Sequence, residues 1–183
     1  LLEISYINKN KLWEKDYNSD KTVFMNAEGY CATYISYYLF SKVHNIDNID
    51  WLVACASVSD WMWFKNKTWL HQVYEKYGDV FNDDTEKIKS GKMWRLVVDL
   101  SNAIIYFKKN LRNVFDSIGT SFGEIGDLKK YSLIVQKELD ESLVRFEREK
   151  IPIAGGYYWE FVPTLPIGSM ISTILGTTNL STT

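Results

Sequence analysis

The chain has 183 residues, a length that suits one average domain or parts of two. Hydrophobic residues make up 46% of it and charged residues 24%, which excludes an intrinsically disordered chain. The formal net charge of -2 excludes a globally basic protein that gathers nucleic acid by charge alone, although a local basic groove stays open.

The first part of the chain predicts the strand-to-helix step of a parallel α/β sheet. Residues 3–7 and residues 22–26 are β-prone runs, and a helix is predicted over residues 28–43. No basic start and apolar core of a signal peptide is present, and no apolar run reaches the roughly 18 residues of a membrane span. We therefore expect a soluble, cytoplasmic protein with no membrane partner.

The next predicted helix, residues 49–59, is apolar on nearly every face, so we expect it to be buried all round. Asp47 is its candidate N-cap, and Asp50 lies in its first turn, where the helix dipole favours an anion. Cys31 and Cys55 lie in apolar helical runs without a CxxC motif and are predicted to be small buried residues in a reducing compartment.

Three helical regions follow. Residues 61–91 predict short amphipathic helices or loops. Residues 93–118 predict one longer helix with apolar residues at helical spacing, namely Leu96, Leu100, Ile104, Phe107, Leu111 and Phe115. Residues 127–150 predict a long helix with one narrow apolar stripe, formed by Leu128, Tyr131, Val135, Leu139, Leu143 and Phe146.

The last part of the chain predicts a strand and a short helix. Pro152 is expected to end the long helix, and Gly155-Gly156 to form a turn into a strand over residues 157–162. A short helix is predicted over residues 167–175. The first residue is not Met and the sequence stops as this helix ends, so we expect a fragment of a longer protein.

Catalytic signatures based on HExxH, GxSxG, the P-loop or GxGxxG are absent from the sequence. His44 and His71 are far apart and are interpreted as surface or packing residues. The candidate catalytic and metal-binding residue is Asp60, which follows the all-apolar helix. A carboxylate is disfavoured at the negative end of a helix, and we expect Trp61, Met62 and Trp63 to strip it of water. A divalent cation would resolve both conflicts, whereas the structural alternative is that Asp60 caps the next helix or binds a buried amide.

Weaker candidates have structural interpretations that are favoured. Gly155-Gly156 could form a phosphate loop but precedes a strand, which favours a simple turn. The aromatic run of residues 157–159 could stack on bases, although core packing is favoured. Five basic residues could contact phosphates or simply form solvated helix faces: Lys108, Lys109, Arg112, Lys129 and Lys130.

One family resemblance covers nearly the whole chain. Asn26 follows a strand, a helix ends in the run Ser-Tyr-Tyr-Leu-Phe at residues 36–40, and a small-residue helix at residues 50–60 ends in Asp60. This order resembles the DHH-family phosphoesterases, including RecJ-like nucleases of archaeal type. Asp60 matches a metal-ligand position of that family, although Ala56 stands close to where a Gly is often seen. The Asp-His-His triplet of the family and its Gly-Gly-His substrate motif are not in this sequence.

The resemblance implies an α/β fold class, comprising the C-terminal part of a parallel-sheet DHH domain that is mostly helical here, a linker helix and a smaller α/β DHHA1 domain. The corresponding boundaries are residues 1–126 for the catalytic part, 127–152 for the linker and 153–183 for the start of the DHHA1-like domain. It further implies a two-metal site for Mn²⁺ or Mg²⁺ to which Asp60 contributes, with most ligands outside this chain.

The implied reaction is hydrolysis of phosphodiester or related bonds in single-stranded nucleic acid or a small nucleotide. A homo-oligomeric or replication-type partner is also implied, and the fragment alone is expected to be inactive. The alternative is a non-catalytic helical interaction module, in which the apolar stripe of residues 127–150 docks a partner, or a degenerate DHH subunit.

Overall fold

The computed structural model describes the backbone of residues 29–180 and the side chains of residues 29–176. This part of the chain is mostly helical and contains a small antiparallel sheet of two strands. Its elements in chain order are α1 (Ala32–Phe40), α2 (Asp50–Ser59), α3 (Lys67–Lys76), α4 (Gly91–Tyr106), α5 (Arg112–Ser117), α6 (Leu128–Glu149), β1 (Ile151–Ile153), β2 (Gly156–Tyr158) and α7 (Gly168–Leu180). The predicted strands at residues 3–7 and 22–26 lie outside the described residues, so the parallel sheet stays a prediction.

The chain divides into two compact units. Among the described residues, the first unit comprises residues 29–97 and 120–123, and the second comprises residues 98–119 and 124–180. The division falls within α4.

Helix α2 lies at the centre of the first unit, as its apolar sequence predicts. Seven of its ten residues are buried, and it packs against α1 and α3. Small side chains allow close contacts: the Cys31 Sγ and Ser57 Oγ atoms are 3.4 Å apart, and the Cys55 Sγ lies 3.5 Å from the Met93 Sδ. Both cysteines are free and buried, which confirms their predicted role as small core residues.

The start of α2 differs from the sequence expectation. Asp47 begins a short 3-10 turn, Asp47–Ile49, and the N-cap of α2 is Ile49, which makes no side-chain cap hydrogen bond. Asp50, in the first turn, is buried and accepts from the Lys76 Nζ at 2.8 Å and from the Tyr77 hydroxyl at 2.6 Å. The negative charge at the start of α2 therefore belongs to Asp50, which is inside the helix, and not to an N-cap residue.

The predicted long helix over residues 93–118 is two helices. Helix α4 ends at Tyr106 and α5 begins at Arg112, so the intervening turn breaks the helical phase of the predicted apolar stripe. The buried residues of α4 include Met93, Val97 and Ala103, which are not members of the predicted stripe. Of the stripe itself, Leu96, Leu100 and Phe107 are partly buried. The prediction was wrong for the three members that are exposed, namely Ile104, Leu111 and Phe115.

The core of the second unit forms on α6. Val135 and Leu139 of α6 pack with Ile167 and Ile171 at the start of α7. The predicted stripe is confirmed, because its members are buried or partly buried. This stripe packs in the unit's own core, and docking of a partner by this helix stays a prediction.

A hairpin follows α6 where the sequence predicted a turn and a longer strand. β1 and β2 pair antiparallel with Pro152 opposite Tyr157, and Gly155 lies in the connecting turn at φ 79°. The turn at Gly155 is confirmed. β2 ends at Tyr158 instead of residue 162. Pro152 sits inside β1, which is possible because a strand at a sheet edge tolerates a residue without an N–H.

Among the helices of residues 29–180, none has both the length and the apolar character that crossing a bilayer requires.

Candidate metal-binding site

Asp60 lies at the C-terminal end of α2, where it is the C-cap residue. Its backbone N–H donates to the Ala56 carbonyl at 2.9 Å, so the helix ends regularly up to this position. The Asp60 side chain is exposed to solvent. The expectation that neighbouring aromatic residues strip this carboxylate of water is therefore wrong.

The turn after Asp60 explains its exposure. The N–H of Trp61 donates to the Val58 carbonyl at 3.1 Å, and the N–H of Met62 donates to the Ser57 carbonyl at 3.0 Å. These two bonds form a Schellman motif, which requires a left-handed residue after the C-cap. Trp61 takes this conformation, with φ 56°.

The aromatic residues of this turn divide between core and surface. The Trp63 side chain is completely buried, while Trp61 is 43% exposed and contacts the Trp63 ring at a centroid distance of 4.9 Å. Burial of the Trp63 side chain anchors the turn, while Asp60 and Trp61 stay at the surface. Glycine is the usual residue at a left-handed helix end, so a tryptophan at this position does not indicate the motif in advance.

Asp60 can supply one carboxylate ligand to a hard divalent cation. The carbonyl end of a helix carries partial negative charge, which disfavours a further anion and favours a cation beside it. Within the described residues, however, no group of three or more His, Cys, Asp or Glu side chains could hold a metal. Asp60 is therefore not part of such a group among the described residues, and its role as a metal ligand stays a prediction. Asn26, which belongs to the family resemblance, lies outside the described residues.

The two histidines belong to other elements than Asp60 does. His44 is exposed after the end of α1, and His71 is exposed on α3 with its ring edge against Phe81 at a centroid distance of 5.0 Å. Both positions match the interpretation of surface or packing residues.

A polar network of the first unit surrounds Asp50, which the sequence analysis placed only in the first turn of a helix. A cavity of about 350 Å³ beside it is lined by Tyr37, Asp47, Asp50, Trp69, Gln72, Val73 and Lys76. Burial, together with the carboxylates of Asp47 and Asp50, raises the pKa of Tyr37 to about 12, so this hydroxyl remains a neutral donor. Because Asp50 is already bound by Lys76 and Tyr77, we interpret the network as structural.

The aromatic candidates of the C-terminal part differ from the expectation of core packing. Tyr157 is 47% exposed and Tyr158 54% exposed, so that expectation was wrong for both. Trp159 is partly buried and packs on Phe146 and Phe161. All residues of β1 and β2 are exposed, and the two tyrosines are exposed with them.

All five basic candidates are exposed on helix ends or the turns that follow them. Arg112 is neutralised by Asp116 at 2.8 Å within α5. Lys129 and Lys130 lie in the first turn of α6, which contains no acidic residue. Lys108 and Lys109 follow the end of α4.

Comparisons with protein-family models, with curated proteins and with solved structures found no match to this chain.

Proposed function

We propose that this chain is part of a DHH-family phosphoesterase and that Asp60 is one ligand of its divalent-metal site. In this proposal residues 1–126 belong to the catalytic domain, residues 127–152 to the linker and residues 153–183 to the DHHA1-like domain. Its support is the resemblance of residues 26–60 to the family together with the position of Asp60 in the structure.

The observation that carries the proposal is the turn that presents Asp60. A carboxylate is exposed at the end of a helix that is buried along most of its length. The next residue, Trp61, holds a left-handed conformation that costs a non-glycine residue about 1–2 kcal/mol. Backbone strain of this kind concentrates at functional sites, where the surrounding structure maintains it.

The order of the helices also supports the proposal. A small-residue helix ending in Asp60 precedes a helical region, and then comes the 22-residue helix α6. The hairpin and α7 follow. The family has the same sequence of a metal-ligand helix, a helical region, a linker helix and a smaller domain.

Bound Mn²⁺ or Mg²⁺ would activate a water molecule and neutralise phosphoryl oxygens during in-line hydrolysis. Asp60 would bind a metal ion through a carboxylate oxygen, and the turn at the end of α2 would orient the Asp60 side chain. The proposed substrates are single-stranded nucleic acid or a small nucleotide, and a homo-oligomeric or replication-type partner belongs to the same proposal.

The test uses the full-length protein and a fluorescently labelled single-stranded oligonucleotide, with Mn²⁺ or with EDTA. We expect Mn²⁺-dependent cleavage that falls by at least about tenfold in Asp60→Asn, because a lost ligand weakens the site at least as much as a lost supporting group. The matched control is Asp127→Asn, which removes another exposed carboxylate at a helix end. Full Mn²⁺-dependent activity in Asp60→Asn would remove Asp60 from the site.

A second candidate function is a non-catalytic helical interaction module. It is favoured by exposed apolar residues on α6 outside the buried stripe, namely Leu133, Ile134 and Val144. Calorimetric titration of Mn²⁺ into the full-length protein separates the two functions. Specific uptake that is lost in Asp60→Asn supports the phosphoesterase, whereas absence of uptake supports the interaction module.

A further inference from the structure

A groove of about 860 Å³ lies within the second unit, which does not contain Asp60. One wall is formed by the end of α4 and the following turn, residues 105–110. The other wall is the loop of residues 163–166. Sites for small molecules occupy about 300–1,000 Å³, so the groove has the size of such a site.

The loop wall is fixed in position by Glu138 of α6. The Glu138 carboxylate accepts from the backbone N–H of Thr164 at 2.6 Å and from that of Leu165 at 2.9 Å. The other two residues of the loop are prolines, whose backbone φ is fixed and which have no N–H. This wall therefore keeps its shape without a ligand, which lowers the entropic cost of binding.

The opposite wall is aromatic. Tyr106 and Phe107 are partly buried, and both rings contact Tyr131 of α6, at centroid distances of 4.7 Å and 4.6 Å. Contact with Tyr131 holds the two rings in place. Together with the prolines, they give the groove a mainly apolar surface.

The charged side chains that line the groove are both basic. Lys108 and Lys109 are exposed at its rim, and no acidic residue lines it. Neither lysine takes part in a salt bridge within the described residues. The basic residues near the end of α6 differ in this respect, because Arg145, Arg148 and Lys150 are each paired with a glutamate.

We propose that this groove binds an organic anion with an apolar body. The anionic group contacts Lys108 and Lys109, and the aromatic or aliphatic body packs between the rings of Tyr106 and Phe107 and the proline-containing loop. Positive charge at the rim and an apolar surface below it select a ligand that combines a negative charge with an apolar body. The proposal is independent of metal binding at Asp60.

The test uses two fluorescent probes on the full-length protein. One is 8-anilinonaphthalene-1-sulfonate, an apolar anion, and the other is N-phenyl-1-naphthylamine, its uncharged counterpart. We expect Lys108→Gln combined with Lys109→Gln to weaken binding of the anion by about threefold to tenfold, since each exposed charge contributes up to about 1 kcal/mol. Binding of the uncharged probe should stay unchanged.

The matched control is Lys129→Gln combined with Lys130→Gln, which removes the same charge from exposed positions of α6 that do not line the groove. Far-ultraviolet circular dichroism checks that both double variants remain folded. The proposal is overturned if the two double variants weaken binding of the anion equally, or if neither does. Equal loss of both probes in the Lys108 and Lys109 variant would also overturn it, because the rim charge would then have no selective role.

Discussion

Trp61 is the residue at which local structure departs most from what its side chain prefers. A left-handed backbone is normal for glycine and costly for a residue with a Cβ. The Schellman motif imposes it here, since the N–H groups of Trp61 and Met62 both satisfy carbonyls at the end of α2. The ring of Trp61 contacts the ring of Trp63, and this aromatic contact offsets part of the strain in the backbone.

Two substitutions separate these opposing contributions. Both Trp61→Gly and Trp61→Ala remove the ring, but only alanine keeps the steric cost of the left-handed conformation. We expect the glycine variant to have the larger free energy of unfolding, by about 1 kcal/mol, in urea denaturation. An alanine variant as stable as the glycine variant would show that the conformation at this position relaxes without cost.

Glu149 is a surface residue whose carboxyl group is kept ionised by neighbouring side chains. Hydrogen bonds from Arg148, Arg145 and Trp159 lower the pKa of its carboxyl from 4.5 to about 2. The lowered pKa stabilises the folded protein, and this stabilisation is fully present at pH values above the pKa of the unfolded chain, 4.5. It is lost as the pH falls from about 4.5 through about 2.

Carboxyl titration by NMR measures this directly. Replacing Arg145 and Arg148 by glutamine should raise the pKa of Glu149 toward 4.5, because the two largest causes of its shift are removed. Lys137→Gln is the matched control, as Lys137 pairs with Glu141 on the same helix and does not contact Glu149. An unchanged pKa of Glu149 in the double variant would contradict the role of the two arginines.

At the scale of elements, α6 organises the second unit with two different kinds of contact. Its apolar stripe supplies Val135 and Leu139 to the core. Beside the stripe, Glu138 accepts two backbone N–H groups from the loop before α7. Ser132 joins α6 to α4, since its hydroxyl oxygen and carbonyl lie 3.3 Å and 3.4 Å from the Asn102 side-chain nitrogen.

Removal of the Glu138 carboxylate should loosen the loop specifically. In Glu138→Ala we expect amide hydrogen exchange at Thr164 and Leu165 to accelerate by about tenfold, the effect of losing a charge-assisted hydrogen bond of roughly 1.4 kcal/mol. Glu141→Ala removes an exposed glutamate from the same helix and serves as the control. The prediction fails if exchange at these two amides is equal in both variants.

Sequence patterns predicted elements well where burial follows one period. The apolar helix α2 and the stripe of α6 were both predicted, because each keeps its pattern for the length of the helix. The break between α4 and α5 was missed, since the apolar spacing continues through residues 107–111 without a proline or glycine. β1 was missed because Pro152 indicates a helix end more strongly than an edge strand.

For the whole molecule, the two units each have their own buried residues. Trp51, Trp63 and Leu70 belong to the first unit, and the cluster around Val135 and Ile167 belongs to the second. This division could not be predicted from composition, because it falls inside α4, where the sequence is regular.

The candidate site was predicted in its position and not in its environment. Asp60 was identified from the end of an apolar helix, and the structure places it there. Its exposure was missed because the sequence does not reveal which neighbouring tryptophan enters the core. Whether Asp60 binds a metal stays a prediction, as does the family to which the chain is proposed to belong.

The uneven distribution of charge along α6 gives its two ends opposite responses to ionic strength. Lys129 and Lys130 lie at the end where the helix dipole is itself positive, so their repulsion weakens as dissolved ions screen it. The ion pairs of Arg145 and Lys150 at the other end are attractions, and the same screening weakens them. Between about 0.01 M and 0.15 M the Debye length falls from roughly 30 Å to 8 Å. Over that range, we expect added electrolyte to stabilise the first turn of α6 and to destabilise its last turns.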